Sequence, residues 1–369
     1  MPALYSPFFF RGAAMVIAAT MGVGIFALPY VVAEAGWLTS FCYLVFVIAI
    51  TVQTHNWYWR VLQKAEGQRL LGLIGRHGGR VLFFIAFLSI VVGLLLVLAT
   101  YLVLAGSFFN LLFPGQEKII GVMIIWLLGS LPLLAGVRRL TILESLGALA
   151  TFFILLGLFS HALWQGGQFP AVPAATANFF LPFGPLLFAL AGWTALEPIY
   201  DTEERKKAGD GFRGVAWGTV LAGFFYVVFV TSIFLLTSEI SSDTISSLSL
   251  WPGWERILLS FFGLLLITNA YIPIAWEVHT ALEKDLYLGR WAFVVPMVVP
   301  LGLFLMGLNS FFLLVSLVGG LFLSLQYLGI VFVSSRVLVF SKKEKILATI
   351  IAFVFALAAF YEALSFLLR

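Results

Sequence analysis

The sequence predicts an all-α integral membrane protein of about eleven transmembrane helices, arranged as a five-plus-five inverted repeat whose first and sixth helices are broken. Three observations carry this. Of 369 residues, 62% are hydrophobic and only 10% charged, with mean hydropathy +1.07, more apolar surface than a water-soluble domain of this length buries. Apolar runs long enough to span a hydrocarbon core, about 20 residues per helix, follow one another from Phe8 to Leu368. The basic residues collect in alternate connections between those runs.

The first run, 9 to 36, carries Arg11 at its start, is longer than a signal-peptide core and lacks a small-residue cleavage site, so it is expected to remain as the first helix. Its middle reads Met21-Gly-Val-Gly-Ile25 and is followed by Pro29. The second, 38 to 59, holds Cys42, the single cysteine, which rules out an intramolecular disulfide. The next connection is rich in Arg and Lys and contains Gly75-Arg-His-Gly-Gly-Arg80, which lacks the phosphate-loop pattern, follows no strand and reads as a cytoplasmic turn. Helices then follow at 81 to 113, 119 to 136 and 140 to 164. The sixth, 178 to 200, carries Ala189-Leu-Ala-Gly-Trp-Thr194 and then Pro198. The remaining runs are 212 to 237, 255 to 283, 291 to 307, 310 to 334 and 345 to 367. None shows the alternating ten-residue pattern of a membrane barrel strand.

With the N-terminus in the cytoplasm, every Lys and Arg except Lys118, Arg256 and Arg369 falls on the inner side, and eleven helices put the C-terminus outside. The basic residues are spread over short loops and form no single patch, which argues against a nucleic-acid partner. The helix starts 9, 38, 81, 119 and 140 recur as 178, 212, 255, 291 and 310, an offset of about 170 residues. The expected units are therefore 1–164 and 178–334, with an extra helix at 345–367; a repeat of five helices enters the membrane from the opposite side, as in many secondary transporters.

The break at 21–25 and the break at 189–194 define a candidate site at mid-membrane. Glycine there weakens a helix by about 1 kcal/mol, and proline removes a backbone hydrogen bond, so Pro29 is expected to free the Ile25 carbonyl and Pro198 that of Thr194. A broken helix turns free N–H groups and a positive dipole end toward an anion. The N–H groups of Val23, Gly24 and Ile25 suit a carboxylate, with Gly22 and Gly24 allowing close approach. Carbonyls from Ala18 through Thr20 to Met21, and from Phe188 and Ala189 to Ala191, suit an ammonium group. The implied ligand is a zwitterion.

Trp193, beside Gly192, can close over an apolar or aromatic side chain, and Tyr101 can hydrogen-bond a carboxylate. Thr194 and Glu197 have the spacing of a capping box; Glu197 is alternatively a proton carrier, since an ionisable group at this depth is a functional candidate. Thr268 and Asn269 are oxygen donors that could hold sodium with carbonyls of Ala18 and Met21. His161, His279, Glu277 and Glu283 lie toward helix ends, where side chains can snorkel. With no HExxH, no GxSxG and no His/Cys cluster, enzyme, metal and cofactor chemistry all lack their residues, and no charged ring or repeated filter suggests a channel.

Thr20-Met-Gly-Val-Gly-Ile-Phe-Ala-Leu-Pro-Tyr30, followed by Ala33-Glu-Ala-Gly-Trp37, resembles the first-helix motif of the amino acid/auxin permease family, with bacterial aromatic amino acid permeases most similar. Phe183-Gly-Pro-Leu-Leu-Phe-Ala-Leu-Ala-Gly-Trp193 and Ser316-Leu-Val-Gly-Gly320 resemble its other motifs, although Glu197-Pro198 reverses the usual order. The resemblance implies the LeuT-like fold of amino acid, polyamine and organocation transporters, alternating access around helices 1 and 6, and substrate contacts at Gly22–Gly24 and Ala189–Trp193. It also implies ion coupling. Sodium-coupled members carry Asn where this chain has Ala18, which favours a proton.

Overall fold

A computed structural model describes residues 7–65, 68–134, 141–166, 178–202, 208–237, 239–251, 253–286 and 288–368. Among these residues there is no strand. The helices are α1 (Pro7–Thr20), α2 (Leu28–Ala35), α3 (Trp37–Leu62), α4 (Leu70–Phe87), α5 (Gly93–Leu112), α6 (Lys118–Leu134), α7 (Thr141–Trp164), α8 (Phe183–Leu190), α9 (Leu196–Thr202), α10 (Ala208–Leu236), α11 (Gly253–Thr280), α12 (Val294–Leu305), α13 (Phe311–Leu317), α14 (Ser324–Val337) and α15 (Lys342–Leu367). Six spans, Trp37–Leu62, Leu70–Leu112, Gly211–Leu236, Gly253–Lys284, Phe311–Val337 and Lys342–Leu367, are long and apolar enough to cross a membrane. Phe9–Thr20 and Val23–Ala35 make one further span bent by 49°. Shorter apolar helices lie at Lys118–Leu134, Leu149–Trp164, Phe183–Ala195 and Trp291–Leu305.

Packing at the centre depends on small residues, because lipid supplies no hydrophobic drive between helices and close backbone approach must take its place. α1 lies against α10 in this way. A Cβ on Gly12 would sit 2.7 Å from the Gly211 carbonyl oxygen, and one on Gly218 2.8 Å from that of Ala13. Gly214, one turn before Gly218, touches the Phe9 carbonyl in the same register. α8 meets the segment that follows α13, 318–323, through Gly184, Gly319 and Gly320. α15 is peripheral: 17% of its apolar window is buried, against 61% for 311–337.

The turn expected around 75–80 is present as a sharp bend at Gly79, with helix running on both sides of it. α4 starts at Leu70, because Leu70, Leu71, Leu73 and Ile74 all bury themselves at helical spacing, and the charges of Arg76, His77 and Arg80 disguise that stripe. Gly79, at φ +74°, turns the chain within α4, a conformation that costs an L side chain strain. Three π turns, Leu88–Val92 between α4 and α5, Ala281–Asp285 after α11 and Val318–Leu323 between α13 and α14, have no counterpart in the sequence reading. The Ser316–Gly320 motif runs into the last of them.

Candidate functional site

The two breaks are built alike. α1 ends at Thr20, whose carbonyl accepts the Gly22 N–H at 2.8 Å, and a 3-10 turn, Val23–Ala27, leads on into α2. α8 ends at Leu190, whose carbonyl accepts the Gly192 N–H at 2.9 Å, and a 3-10 turn, Trp193–Ala195, leads on into α9. A bond spanning two residues is a γ-turn, and Ala191 at its centre, φ −73° and ψ 83°, has the inverse form. Both glycines are needed for room: a Cβ at Gly22 would lie 2.9 Å from the Tyr101 hydroxyl, and one at Gly192 2.9 Å from Thr20 Cγ2. Gly24 serves packing more than ligand approach, since its Cβ would lie 2.8 Å from Ala189 Cα.

Proline acts differently from expectation. Pro29 sits in the first turn of α2, where a missing N–H is harmless, and the Leu28 N–H takes the Ile25 carbonyl, so that carbonyl is not freed. Thr194 lies inside a 3-10 turn and α9 begins at Leu196, so the anticipated capping frame is displaced.

Tyr226 of α10 joins the breaks. Its hydroxyl lies 2.7 Å from the Thr20 carbonyl oxygen and 2.6 Å from that of Ala189, so one phenol proton is shared between the ends of two half-helices. Trp193 is fixed by a second chain of contacts: its indole N–H donates to Gln326 Oε1 at 2.8 Å, and Gln326 Nε2 donates to the Ser89 carbonyl at 2.6 Å, inside the π turn before α5. His55 of α3, also buried, meets the Tyr327 hydroxyl at 2.9 Å. None of Tyr226, Gln326, Ser89 or His55 was singled out from sequence.

Between the breaks lies a cavity of about 20 Å³, about the room one water needs. Of the anticipated residues, Thr20, Gly22, Gly24, Tyr101, Phe188, Ala191, Trp193 and Thr194 line it. Ala19, Leu94, Val97, Ile274 and Leu323 complete the lining and add an apolar side to walls that also present backbone and hydroxyl groups. Ala18, Met21, Val23, Ile25 and Ala189 are buried behind that lining, and Gly192 packs on Thr20. Thr268 donates its hydroxyl to the Leu264 carbonyl at 2.8 Å, and Asn269 faces Gly147 of α7.

Toward the end of the bundle that carries most basic residues, the cavity is closed by an ionic latch. Glu197 of α9 is 3% exposed; it accepts the Tyr58 hydroxyl and the Leu70 N–H, and stands 2.9 Å from Arg69 Nη1. The same guanidinium reaches Glu277 of α11 at 3.2 Å. Glu277 is therefore buried and clasped, and does not snorkel, because Arg69 in the chain leading into α4 brings a cation to it. On the opposite face, the Thr244 hydroxyl donates to the Phe26 carbonyl at 2.6 Å, and Asn178 donates to Glu34 at 2.9 Å. His161 lies 2.6 Å from Glu255. Side-chain contacts thus flank the narrow central cavity on both sides.

Among the described residues no group of three His, Cys, Asp or Glu side chains could hold a metal ion. The fold is that of known transporters. An Eremococcus coleocola manganese transporter is similar at 13% identity with TM-score 0.71, over 97% of this chain and 87% of that one. MhsT, solved in complex with L-phenylalanine, is similar at 15% identity and TM-score 0.70, over 98% of both chains. A Na+-coupled sialic acid symporter is similar at 16% identity and TM-score 0.64, over 88% of this chain and 79% of that one. No curated protein sequence matches. The family model described as "Transmembrane amino acid transporter protein" matches residues 9–364, and by that match over nearly its whole length the chain belongs to the transmembrane amino acid transporter family.

Proposed function

We propose that this chain is a proton-coupled secondary active transporter of amino acids with apolar or aromatic side chains, working by alternating access around the two breaks. The observation that carries the reading is the paired γ-turn geometry at Thr20–Val23 and Leu190–Trp193, which sets the N-terminal end of Val23–Ala35 and the carbonyls of two half-helices around one cavity. A carboxylate finds the Gly24 end of the 3-10 turn and the Tyr101 hydroxyl; an ammonium group finds the carbonyl ends of the two half-helices, where it must share them with the Tyr226 hydroxyl. Leu94, Val97, Phe188, Trp193, Ile274 and Leu323 offer an apolar side chain a matching surface. At about 20 Å³ the site must widen to admit any amino acid, which fits a closed member of a conformational cycle.

The repeats 1–164 and 178–334, with 345–367 added, account for two breaks built alike about 170 residues apart. Proton coupling is favoured over sodium by two features. Tyr226 already occupies the space between the Thr20 and Ala189 carbonyls, and Thr268 spends its hydroxyl on its own helix. Glu197 is the carboxylate attached to a half-helix that must move. We place the protein in the plasma membrane with its N-terminus and basic connections in the cytoplasm and its C-terminus outside.

Uptake of a labelled amino acid panel into proteoliposomes, under an imposed proton or sodium gradient, tests this. Proton-driven uptake of apolar or aromatic amino acids is expected, with loss in Gly22→Ala, whose new methyl meets Tyr101. Sodium-driven uptake would overturn the coupling assignment, and no amino acid uptake under either gradient would overturn the function.

A further inference from the structure

A cavity of about 910 Å³ opens on the outside of the bundle, between α4, α14 and α15, and none of its residues belongs to the central site. It exists because small residues hollow its walls. Ala86 on α4, Gly329 and Ser335 on α14, and Ala348 and Ala352 on α15 sit among Leu82, Ile85, Leu325, Leu328 and Phe332. Its size falls within the range, about 300 to 1,000 Å³, of pockets that enclose a sizeable ligand. Apart from Lys345, Thr349 and Ser335 its lining is apolar.

Charge collects at one end. Lys345 lines the cavity, and Lys342 and Lys343 share its helical turn; all three are exposed. Arg336 closes α14 there and stands 5.4 Å from the centre of the Phe332 ring, which is itself a wall of the cavity. The neighbouring acid, Glu344, is engaged by Arg60 at 2.6 Å and by the Ser341 N–H, so it does not face these lysines as their counter-ion. The contact with Arg60 also fixes this rim at the same end of the bundle as the Arg69 latch.

We propose that this groove binds an anionic phospholipid, an acyl chain lying along α14 and α15 and its phosphate meeting Lys345, with Lys342 and Lys343 adding positive potential at the same headgroup level. Chemistry selects the occupant. An apolar trough open to the bilayer excludes soluble anions, and a lysine rim at headgroup level prefers a net negative lipid over a zwitterionic one, as basic pockets between transmembrane helices do. Each lysine near the surface is worth about fivefold in partition toward anionic lipid.

The test is native mass spectrometry of the full-length protein released from vesicles of equimolar phosphatidylglycerol and phosphatidylethanolamine with matched chains. Wild type is expected to retain phosphatidylglycerol selectively. Lys345→Gln should lower that preference about fivefold, and the Lys342→Gln/Lys343→Gln/Lys345→Gln variant roughly a hundredfold. Thr349→Trp, an exposed position on the groove wall, should fill the trough and release the lipid with all three lysines in place. Equal retention of the two lipids by wild type overturns the proposal, as does phosphatidylglycerol retention unchanged in the lysine variants. Loss in the lysine variants without loss in Thr349→Trp overturns the groove as the seat of the lipid.

Discussion

Arg69→Ala removes a guanidinium that joins Glu197 to Glu277 across the basic end of the cavity. The Arg69, Glu197 and Glu277 side chains are 12%, 3% and 7% exposed, so this is a buried cluster, and removing one partner of a buried ion pair costs about 3–5 kcal/mol because the other charge stays unsolvated. Tyr58 and the Leu70 N–H still serve Glu197, which holds the cost to the lower end, about 3 kcal/mol, or somewhat more than a hundredfold in a two-state population. The protein can avoid that cost by opening this face so that water reaches both carboxylates. The assay is alkylation of Ala191→Cys, a cavity wall, in a Cys42→Ser background that removes the only native cysteine. A membrane-impermeant maleimide applied to the basic face should react far faster in the Arg69→Ala background, with Arg69→Lys intermediate because an ammonium lacks the bidentate fork. A labelling rate within about twofold of the parent, with an unchanged Tm, refutes the latch.

Other substitutions probe the remaining supports. Tyr226→Phe deletes the proton shared by the Thr20 and Ala189 carbonyls; leaving a buried acceptor unpaired should lower stability by about 1–3 kcal/mol, read as a fall in Tm, and uncouple the two breaks in uptake. Gln326→Leu cuts the link from Trp193 to the Ser89 carbonyl and should cost a similar amount, about 1–3 kcal/mol, with a shift in tryptophan fluorescence. Gly24→Ala forces a methyl against Ala189 Cα and should destabilise by about 1–3 kcal/mol in thermal unfolding.

What was legible in the sequence was what local chemistry encodes. Gly22 and Gly24 before Pro29, and Gly192 before Pro198, mark the breaks because the neighbouring chain leaves no room there for a side chain. The lining residues next to those breaks follow from proximity. Tyr226 was not legible: in the sequence it is one more aromatic after Phe224 and Phe225, and only the folding of α10 onto two distant half-helices gives its hydroxyl two carbonyls. Glu277 was misplaced for the same reason, since its burial depends on Arg69, more than 200 positions earlier. The start of α4 was readable in principle from Leu70, Leu71 and Ile74, but the nearby Arg and His residues outweighed that short stripe. The π turns leave no periodic trace, as each adds one residue to an otherwise apolar helix.

The two latches differ in kind, and that difference predicts which face opens first. The basic face is held by the Arg69 cluster, in which opening must rehydrate three charges. The opposite face is held by the Thr244 hydroxyl on the Phe26 carbonyl, by Asn178 on Glu34 and by a single contact between His161 and Glu255, each worth about 0.5–3 kcal/mol. Thr244 is also the only non-glycine residue with positive φ among the described residues, at 58°; a threonine there stores about 1–3 kcal/mol of strain, which is released when the loop before α11 lifts from the Val23–Ala27 turn. Part of the bond energy at this face is therefore already offset in the closed state. The protein without substrate should open on the face opposite the basic residues. In oriented vesicles, Ala191→Cys should then be alkylated faster from that face than from the basic one, and Arg69→Ala should reverse the order. Faster labelling from the basic face in the otherwise native protein would mean that the ion cluster is the weaker closure and that its desolvation outweighs its attraction.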